Sequence, residues 1–184
     1  MNVGVVGNPS YRDLRSILAH LATVAPRLGL TLFTEDSLEP HWPEPRPARL
    51  APAQPLDCLL TLGGDGTLLR GARSLDGANT PILGVNLGRV GFLTTANSQT
   101  LDWALDAIVR KAYATESRLT LVPTIEDKHG NRRTEPSVLN DVVIHKGGVA
   151  RVVRMRVLVD GDGVGADGGH HDRIHAGHDD RPAG

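Results

Sequence analysis

The strongest candidate for a functional site in the sequence is one glycine-rich run, Leu62-Gly63-Gly64-Asp65-Gly66-Thr67-Leu68-Leu69. Glycines let a backbone turn sharply and approach a ligand closely. The exposed amides of such a loop, followed by the N-terminus of a helix, favour phosphate. A carboxylate at Asp65 is suited to accepting a proton from a hydroxyl group, or to holding a metal ion that bridges phosphates. The competing interpretation is a tight strand-to-helix turn in which Asp65 only caps the helix.

Apolar spacing around this run predicts the elements that position it. Short apolar runs predict strands at residues 2–7, 30–33, 56–62 and 81–85. Leucine and isoleucine spacing predicts helices at residues 14–21, at residues 67–74 and at about residues 100–112. Strands that alternate with helices indicate an α/β domain over residues 1–114, with a parallel sheet and flanking helices.

Six of the 12 prolines fall within residues 40–55. Proline lacks a backbone donor and has a fixed φ, which disfavours both a helix and an inner strand. We therefore expect this segment to be an extended surface loop, and a connector rather than a docking ligand.

The hydrophobic period changes beyond about residue 115. Residues 118–125, 138–145 and 151–160 have the character of strands, with no helix between them. They predict the start of an all-β domain over residues 115–160, which is incomplete because three strands cannot cover both faces of a sandwich. Residues 161–184 have neither helix nor strand periodicity, and we expect a disordered tail there.

Composition narrows the class of protein. The 184 residues are 40% hydrophobic, enough for a buried core, and their net charge of -1 offers no footprint for nucleic acid or an anionic membrane. No apolar run approaches the length of a membrane span. The lone Cys58 cannot form an internal disulfide, which is typical of a reducing compartment, so we expect a cytoplasmic protein.

Three segments carry a resemblance to a known family. Residues 63–70, Gly-Gly-Asp-Gly-Thr-Leu-Leu-Arg, resemble the hallmark loop of the NAD kinases. Residues 84–93, Gly-Val-Asn-Leu-Gly-Arg-Val-Gly-Phe-Leu, resemble that family's second glycine-rich segment. Residues 139–145, Leu-Asn-Asp-Val-Val-Ile-His, resemble its segment of an asparagine and an acidic residue. The matches occur in the family's order across most of residues 56–160, and the chain is identified as a member on that ground.

The resemblance implies roles for the first loop. Asp65 would be the general base that takes the proton from the adenosine-ribose 2'-hydroxyl of NAD. The residues that would line the phosphate and nucleotide site are Gly63, Gly64, Gly66 and Thr67. Arg70 would be a cationic contact in the same site.

The resemblance also implies roles for later residues. Asn140 and Asp141 would hydrogen-bond the bound dinucleotide. Phe92 would offer a flat apolar face to adenine, unless it packs in the core. Arg151 would contact phosphate, unless it is a solvated strand residue. Asp167 stands in an Ala-Asp-Gly sequence that the family also has, and is assigned to NAD binding.

The reaction implied is transfer of the terminal phosphoryl group of ATP, or of another donor such as polyphosphate, to NAD, which gives NADP. Mg²⁺ or another divalent ion would offset the phosphate charge. NAD and ATP would be the partners, with no nucleic acid and no membrane. The family forms homo-oligomers, and for this chain the oligomeric state stays open.

The resemblance breaks after residue 168. The family continues with an apolar strand and a Thr-Gly-Ser-Thr-Ala-Tyr loop, where this chain has Gly169-His170-His171-Asp172-Arg173. We expect a chain truncated or shifted out of frame at this point, which sequencing the gene would test. The rival interpretation is a metal site built from His171, His175 and His178 with Asp172 and Asp179, but nearby glycines disfavour the helix that would align the histidines.

Other functions remain as alternatives. A lipid kinase of the diacylglycerol or sphingosine type shares the Gly-Gly-Asp-Gly-Thr loop, but usually has Asn-Glu soon after it, where this chain has Leu68-Leu69-Arg70. Phosphofructokinases share the glycine core without a counterpart of residues 84–93. A third alternative is a non-catalytic nucleotide-binding remnant, because the chain lacks the loop that completes the family's site.

Overall fold

The structure is a computed structural model that describes residues 1–75, 78–88, 91–139, 141–143, 157–160 and 162–164. By its internal contacts the chain divides into two compact units, Met1–Leu139 and Asn140–Gly184. None of the helices in the described residues is long and apolar enough to cross a bilayer. The predicted domain boundaries at residues 114 and 160 stay predictions.

The first unit contains a six-stranded sheet in which every pairing is parallel. Its strands are β1 (Asn2–Gly7), β2 (Thr31–Thr34), β3 (Ala48–Arg49), β4 (Cys58–Leu62), β5 (Ile82–Asn86) and β6 (Ala96–Asn97). The spatial order is β3-β2-β1-β4-β5-β6. The predicted α/β class with a parallel sheet is confirmed, and the strand order reverses between the neighbours β1 and β4.

Three α-helices accompany this sheet: α1 (Leu14–Val24), α2 (Asp65–Ser74) and α3 (Leu101–Val109). Short 3-10 helices lie at Pro26–Leu28 and Asp36–His41. Helix α2 begins at Asp65, two residues before the predicted start, so the candidate base lies in the first turn of a helix. This placement brings the carboxylate to the positive end of the helix dipole, which favours a negative charge.

The core explains why the inner strands have continuous apolar sequences. All five residues of β4 are buried, because helices cover both faces of the sheet. On one face, Leu60 and Leu62 cluster with Leu18 of α1 and Leu105 of α3. On the other face, α2 packs so closely that a Cβ on Gly71 would stand 2.7 Å from Thr61 Cγ2.

The proline-rich segment is more structured than a plain surface loop. Its start is part of the 3-10 helix at Asp36–His41, and Trp42 is 5% exposed, with its Nε1 donating to Thr34 Oγ1 over 2.7 Å. The two-residue strand β3 pairs with β2 at the edge of the sheet. Proline is compatible with both elements, since an edge strand and a short 3-10 turn leave many donors unpaired. The expectation of an extended loop over the whole segment is wrong.

Strands follow the sheet, as predicted for residues beyond about 115, and they pair in antiparallel fashion. The predicted bounds are too wide, since residues 118–120 and 141–143 form no strand. Strands β7 (Thr124–Glu126) and β8 (Arg132–Thr134) form a hairpin, and Leu121 forms an isolated bridge with Val138. In the second unit, β9 (Val157–Val159) pairs with β10 (Asp162–Val164). Strand β8 was not expected because its Arg-Arg-Thr sequence has no apolar alternation. Strand β10 lies where no strand was expected, and residues 165–184 lie outside the described part of the chain.

Candidate functional site

The candidate site lies at the carboxyl ends of β1 and β4. These two strands are neighbours, and the strand order reverses between them. In open α/β sheets, a reversal of this kind leaves a crevice in which ligands bind. Here the crevice is an open cleft of about 510 Å³. The residues that line it are Gly7, Asn8, Pro9, Tyr11, Ser37, Gly64, Gly66, Thr67 and Arg70.

The first glycine-rich loop forms one wall of this cleft. The N–H of Gly63 donates to the carbonyl of Val85 over 2.9 Å, which ties the loop to β5. A Cβ at Gly63 would stand 2.8 Å from Thr67 Cβ, so the turn needs a glycine there. Gly64, Gly66 and Thr67 line the cleft, whereas Gly63 and Asp65 are not among its lining residues. The N–H of Thr67 donates to the carbonyl of Gly64 over 2.9 Å. The N–H groups of Asp65 and Gly66 precede it at the start of α2, where a helix supplies no carbonyl partner, and this favours an anion at this end.

The Asp65 carboxylate is held by the second glycine-rich segment. Its Oδ2 accepts the N–H of Phe92 over 2.8 Å, and its Oδ1 accepts the N–H of Leu93 over 3.1 Å. No side-chain hydrogen bond caps α2, so this aspartate does not act as the cap of its own helix. A carboxylate offers about four lone-pair sites, so each oxygen keeps the capacity to accept a ligand hydrogen. The two segments that the sequence analysis singled out therefore meet at this carboxylate.

Arg70 lies on the cleft wall in an ion pair with Glu35. Its guanidinium also donates to the carbonyl of Gly7 over 2.6 Å. The hydrogen bond to Glu35 raises the pKa of Arg70, against the opposing effect of partial burial. No pattern in the sequence indicates this partner, because Glu35 is separated from Arg70 by several elements.

Tyr11 lines the cleft, although no pattern in the sequence predicts it there. A Cβ on Gly88 would stand 2.9 Å from Tyr11 Cε1, and a Cβ on Gly64 would stand 3.4 Å from its hydroxyl oxygen. The ring therefore fits between the two glycine-rich segments because both positions lack a side chain. A single aromatic residue in a strand-to-helix loop belongs to no repeating pattern, and no sequence signal marks it.

The remaining residues that the family resemblance assigns to the site differ in exposure, and several lie outside the described part of the chain. Phe92 is 96% exposed, so its ring is free for a ligand and the core interpretation is wrong. Asp141, in the second unit, is exposed. Asn140, Arg151 and Asp167 lie outside the described residues, as do the histidines of the rival metal site. Among the described residues, no cluster of three or more His, Cys, Asp or Glu side chains is arranged to hold a metal ion.

The strand order and the crevice between β1 and β4 define an α/β protein of the doubly wound class. Its family follows from comparison with known proteins. The family model described as the ATP-NAD kinase N-terminal domain matches residues 3–113. The chain belongs to the NAD kinase family.

Individual relatives agree with this assignment. The NAD kinase of Gemmatimonas aurantiaca is 44% identical over 166 residues, which are 90% of this chain and 57% of that protein. The NAD kinase of Geobacter metallireducens is 46% identical over 105 residues, which are 57% of this chain and 37% of that protein. A crystal structure of yeast NADH kinase complexed with NADH shares the fold, with a TM-score of 0.62 and 20% identity over 77% of this chain and 47% of that one. The chain spans little more than half the length of the first of these relatives.

Proposed function

We propose that this protein is an NAD kinase, which transfers the terminal phosphoryl group of ATP, or of another phosphoryl donor, to the 2'-hydroxyl of the adenosine ribose of NAD. The observation that carries the proposal is the Asp65 carboxylate, held by the second glycine-rich segment at the start of α2. The names of the relatives support the same activity. The comparisons give no support to the lipid kinase alternative.

In this mechanism, Asp65 accepts the proton of the 2'-hydroxyl while a new phosphorus–oxygen bond forms at that oxygen. The bond from the transferred phosphorus to the leaving nucleoside diphosphate, or to the remainder of another donor, breaks in the same displacement. Because the two backbone hydrogen bonds from Phe92 and Leu93 orient the carboxylate, little reorganisation is needed when the hydroxyl arrives. The amides of the first turn of α2 would stabilise the donor's negative charge.

A divalent ion would arrive on the donor's phosphates, because none of the residues that line the cleft is a carboxylate. Mg²⁺ is usually bound through one or two carboxylates together with substrate phosphates and water. Asp65, between the cleft residues Gly64 and Gly66, is the residue that would add a carboxylate ligand, because Glu35 is engaged by Arg70. When bound, the ion would neutralise part of the phosphate charge.

Among the later segments, we propose that Phe92 contacts the adenine of NAD and that Asn140, Asp141, Arg151 and Asp167 bind the dinucleotide. The support for Phe92 is its exposed ring, adjacent to the amide that holds Asp65. We also propose a cytoplasmic location, in keeping with the buried free thiol of Cys58. Whether the chain forms a homo-oligomer can be measured by light scattering.

The test is a coupled assay of NADP formation by the purified full chain, beside calorimetry with NAD. Asp65→Asn should lower turnover about 100-fold or more, because it removes the base, while much of the NAD affinity remains. The matched control is Asp106→Asn, which removes a carboxylate that only pairs with Arg110 on α3. Diacylglycerol and fructose 6-phosphate serve as alternative acceptors.

Each outcome decides between the candidate functions. Normal turnover in Asp65→Asn would overturn the assignment of the base. NAD binding without turnover in the parent chain would favour the non-catalytic remnant. Turnover with diacylglycerol in place of NAD would favour the lipid kinase, and a parent chain that neither binds NAD nor phosphorylates it contradicts the proposal.

A further inference from the structure

Glu35 extends the hydrogen bonding of the sheet at the point where β2 leaves β1. Its own N–H donates to the carbonyl of Val5 over 3.2 Å, as a strand residue would. Its side chain then turns towards β1, where Oε1 accepts the N–H of Gly7 over 2.7 Å. Beyond Thr34, therefore, a carboxylate supplies the acceptor for Gly7 that a longer β2 strand would have supplied.

Arg70 completes this arrangement from α2. Its Nη2 donates to the Gly7 carbonyl over 2.6 Å and to Glu35 Oε1 over 2.9 Å, and its Nη1 pairs with Glu35 Oε2. The ion pair thus binds both backbone polar groups of Gly7, one through each partner. The Glu35 side chain is 17% exposed and the Arg70 side chain 48%, so the carboxylate is shielded from water while the guanidinium remains partly in solvent.

Gly7 lies at the point where β1 ends and one wall of the cleft begins. Gly7 ends β1, and the cleft wall formed by Asn8, Pro9 and Tyr11 starts from it. The opposite wall is the glycine loop at the start of α2, the helix that carries Arg70. The sheet joins the two walls at their base, because Gly7 pairs with Leu62 of β4 and the Asn8 N–H donates to the Leu62 carbonyl over 3.0 Å. The link between Gly7 and α2 ties the walls together at a second point, farther along the helix.

We infer that Glu35 and Arg70 are positioning residues that hold the two walls of the nucleotide cleft at their spacing. Arg70 acts through the backbone of Gly7 and not on the phosphates of the ligand. A guanidinium fork suits this task, since it can reach the carboxylate and the carbonyl at once. The inference rests on the proposed function in one respect, namely that the cleft takes a nucleoside triphosphate.

The test is a double-mutant cycle on the full chain, with Glu35→Ala, Arg70→Ala and both together. The first readout is amide hydrogen exchange at Gly7 without any ligand. Arg70→Ala leaves the acceptor of this amide in place, yet exchange should rise about tenfold or more, because Glu35 is no longer held. The exchange rate at Gly7 in the double variant should exceed that in either single variant by only a small factor, because the effects of mutating two coupled residues are not additive.

The second readout is the Kd for ATP and for inorganic triphosphate, measured by calorimetry. Both single variants should weaken both ligands by about the same factor, on the order of tenfold. The conservative variant Glu35→Gln keeps an acceptor for the Gly7 N–H and should lose less affinity for both ligands than Glu35→Ala. The matched control is Arg110→Ala, which breaks an exposed ion pair with Asp106 on α3 and should change neither readout.

A reversed pair, Glu35→Arg with Arg70→Glu, separates positioning from simple charge pairing. The reversal restores the ion pair but places a donor against the Gly7 N–H and an acceptor against its carbonyl. Exchange and affinity should therefore stay impaired, and recovery would overturn the inference. It would also be overturned if Arg70→Ala weakened triphosphate binding while Glu35→Ala did not. A parent chain that binds no nucleotide would defeat the proposed function, whereas the exchange at Gly7 would still decide the positioning role.

Discussion

Asp65 and Gly91 are in direct contact, and the contact leaves no room for a side chain at residue 91. A Cβ there would stand 2.6 Å from Asp65 Cγ, closer than real Cβ atoms approach. The following two amides, those of Phe92 and Leu93, donate to the same carboxylate. The second glycine-rich segment therefore has a definite task, which is to hold the carboxylate of the first.

Gly91→Ala should displace the Asp65 carboxylate and break its two backbone hydrogen bonds. We expect a loss of about 1–3 kcal/mol in the free energy of unfolding, because two amides lose a charged acceptor and the new methyl group crowds the site. NADP formation should fall nearly as far as in Asp65→Asn. Urea denaturation and the coupled assay measure the two effects. As a control for stability, Gly66→Ala adds a Cβ in open space within α2 and should leave the free energy of unfolding unchanged or raise it by up to about 1 kcal/mol. Unchanged stability and turnover in Gly91→Ala would contradict the contact.

Tyr11→Phe should weaken ATP binding without changing stability. The Tyr11 hydroxyl lies on the cleft wall near Gly64, at the end of the helix that favours phosphate. A hydrogen bond from this hydroxyl to a charged phosphate would be worth about 1.5–3 kcal/mol, so we expect affinity to fall about tenfold or more. Calorimetry measures this change, with Tyr113→Phe as the control, since it alters the other tyrosine of the chain. Equal affinities for ATP in the two variants would show that Tyr11 only fills space between the glycines.

Cys58 should make the protein less stable at alkaline pH. Burial raises the pKa of its thiol from the ordinary value of 9.0 to about 11. The folded state therefore keeps a proton that the unfolded state releases, and the free energy of unfolding falls as the pH rises from about 9 to about 11. The full effect is on the order of 3 kcal/mol, and below about pH 8 it is absent. Urea denaturation across this range measures it, with Cys58→Ala as the reference, because tyrosines and lysines titrate there too. If the free energy of unfolding changed with pH in the same way in the parent and in Cys58→Ala, the raised pKa of the thiol would be contradicted.

The inner elements of the fold could be predicted because each carries its own pattern. The apolar run of β4 and the helical spacing of Leu14, Ile17 and Leu18 are visible in the sequence, because the residues of each element that face the core are all buried and therefore apolar. Strands β3 and β6 have two residues each, too short for any period to be visible. They exist because the edge of a formed sheet offers unpaired groups to whichever segment passes by.

In the candidate site, too, some features could be predicted from the sequence and others could not. The spacing of the glycines predicts the loop around Asp65, because a tight turn and a close approach to a ligand both require glycine within the loop itself. The engagement of Arg70 by Glu35 could not be predicted, because the two residues are 35 positions apart and meet only after β1, β2 and α2 have assembled. The family resemblance assigned this arginine to the ligand, and the structure adds a partner on the protein.

The strand, the glycine loop and the helix that carries Asp65 follow from the sequence, since these depend on interactions among near neighbours. The backbone amides that hold the Asp65 carboxylate, and the residues across the cleft from the glycine loop, depend on how distant segments of the chain assemble. The cause is the order of the strands. It makes β1 and β4 neighbours, and it thereby brings residues 7–11 to the glycine loop that follows residue 62.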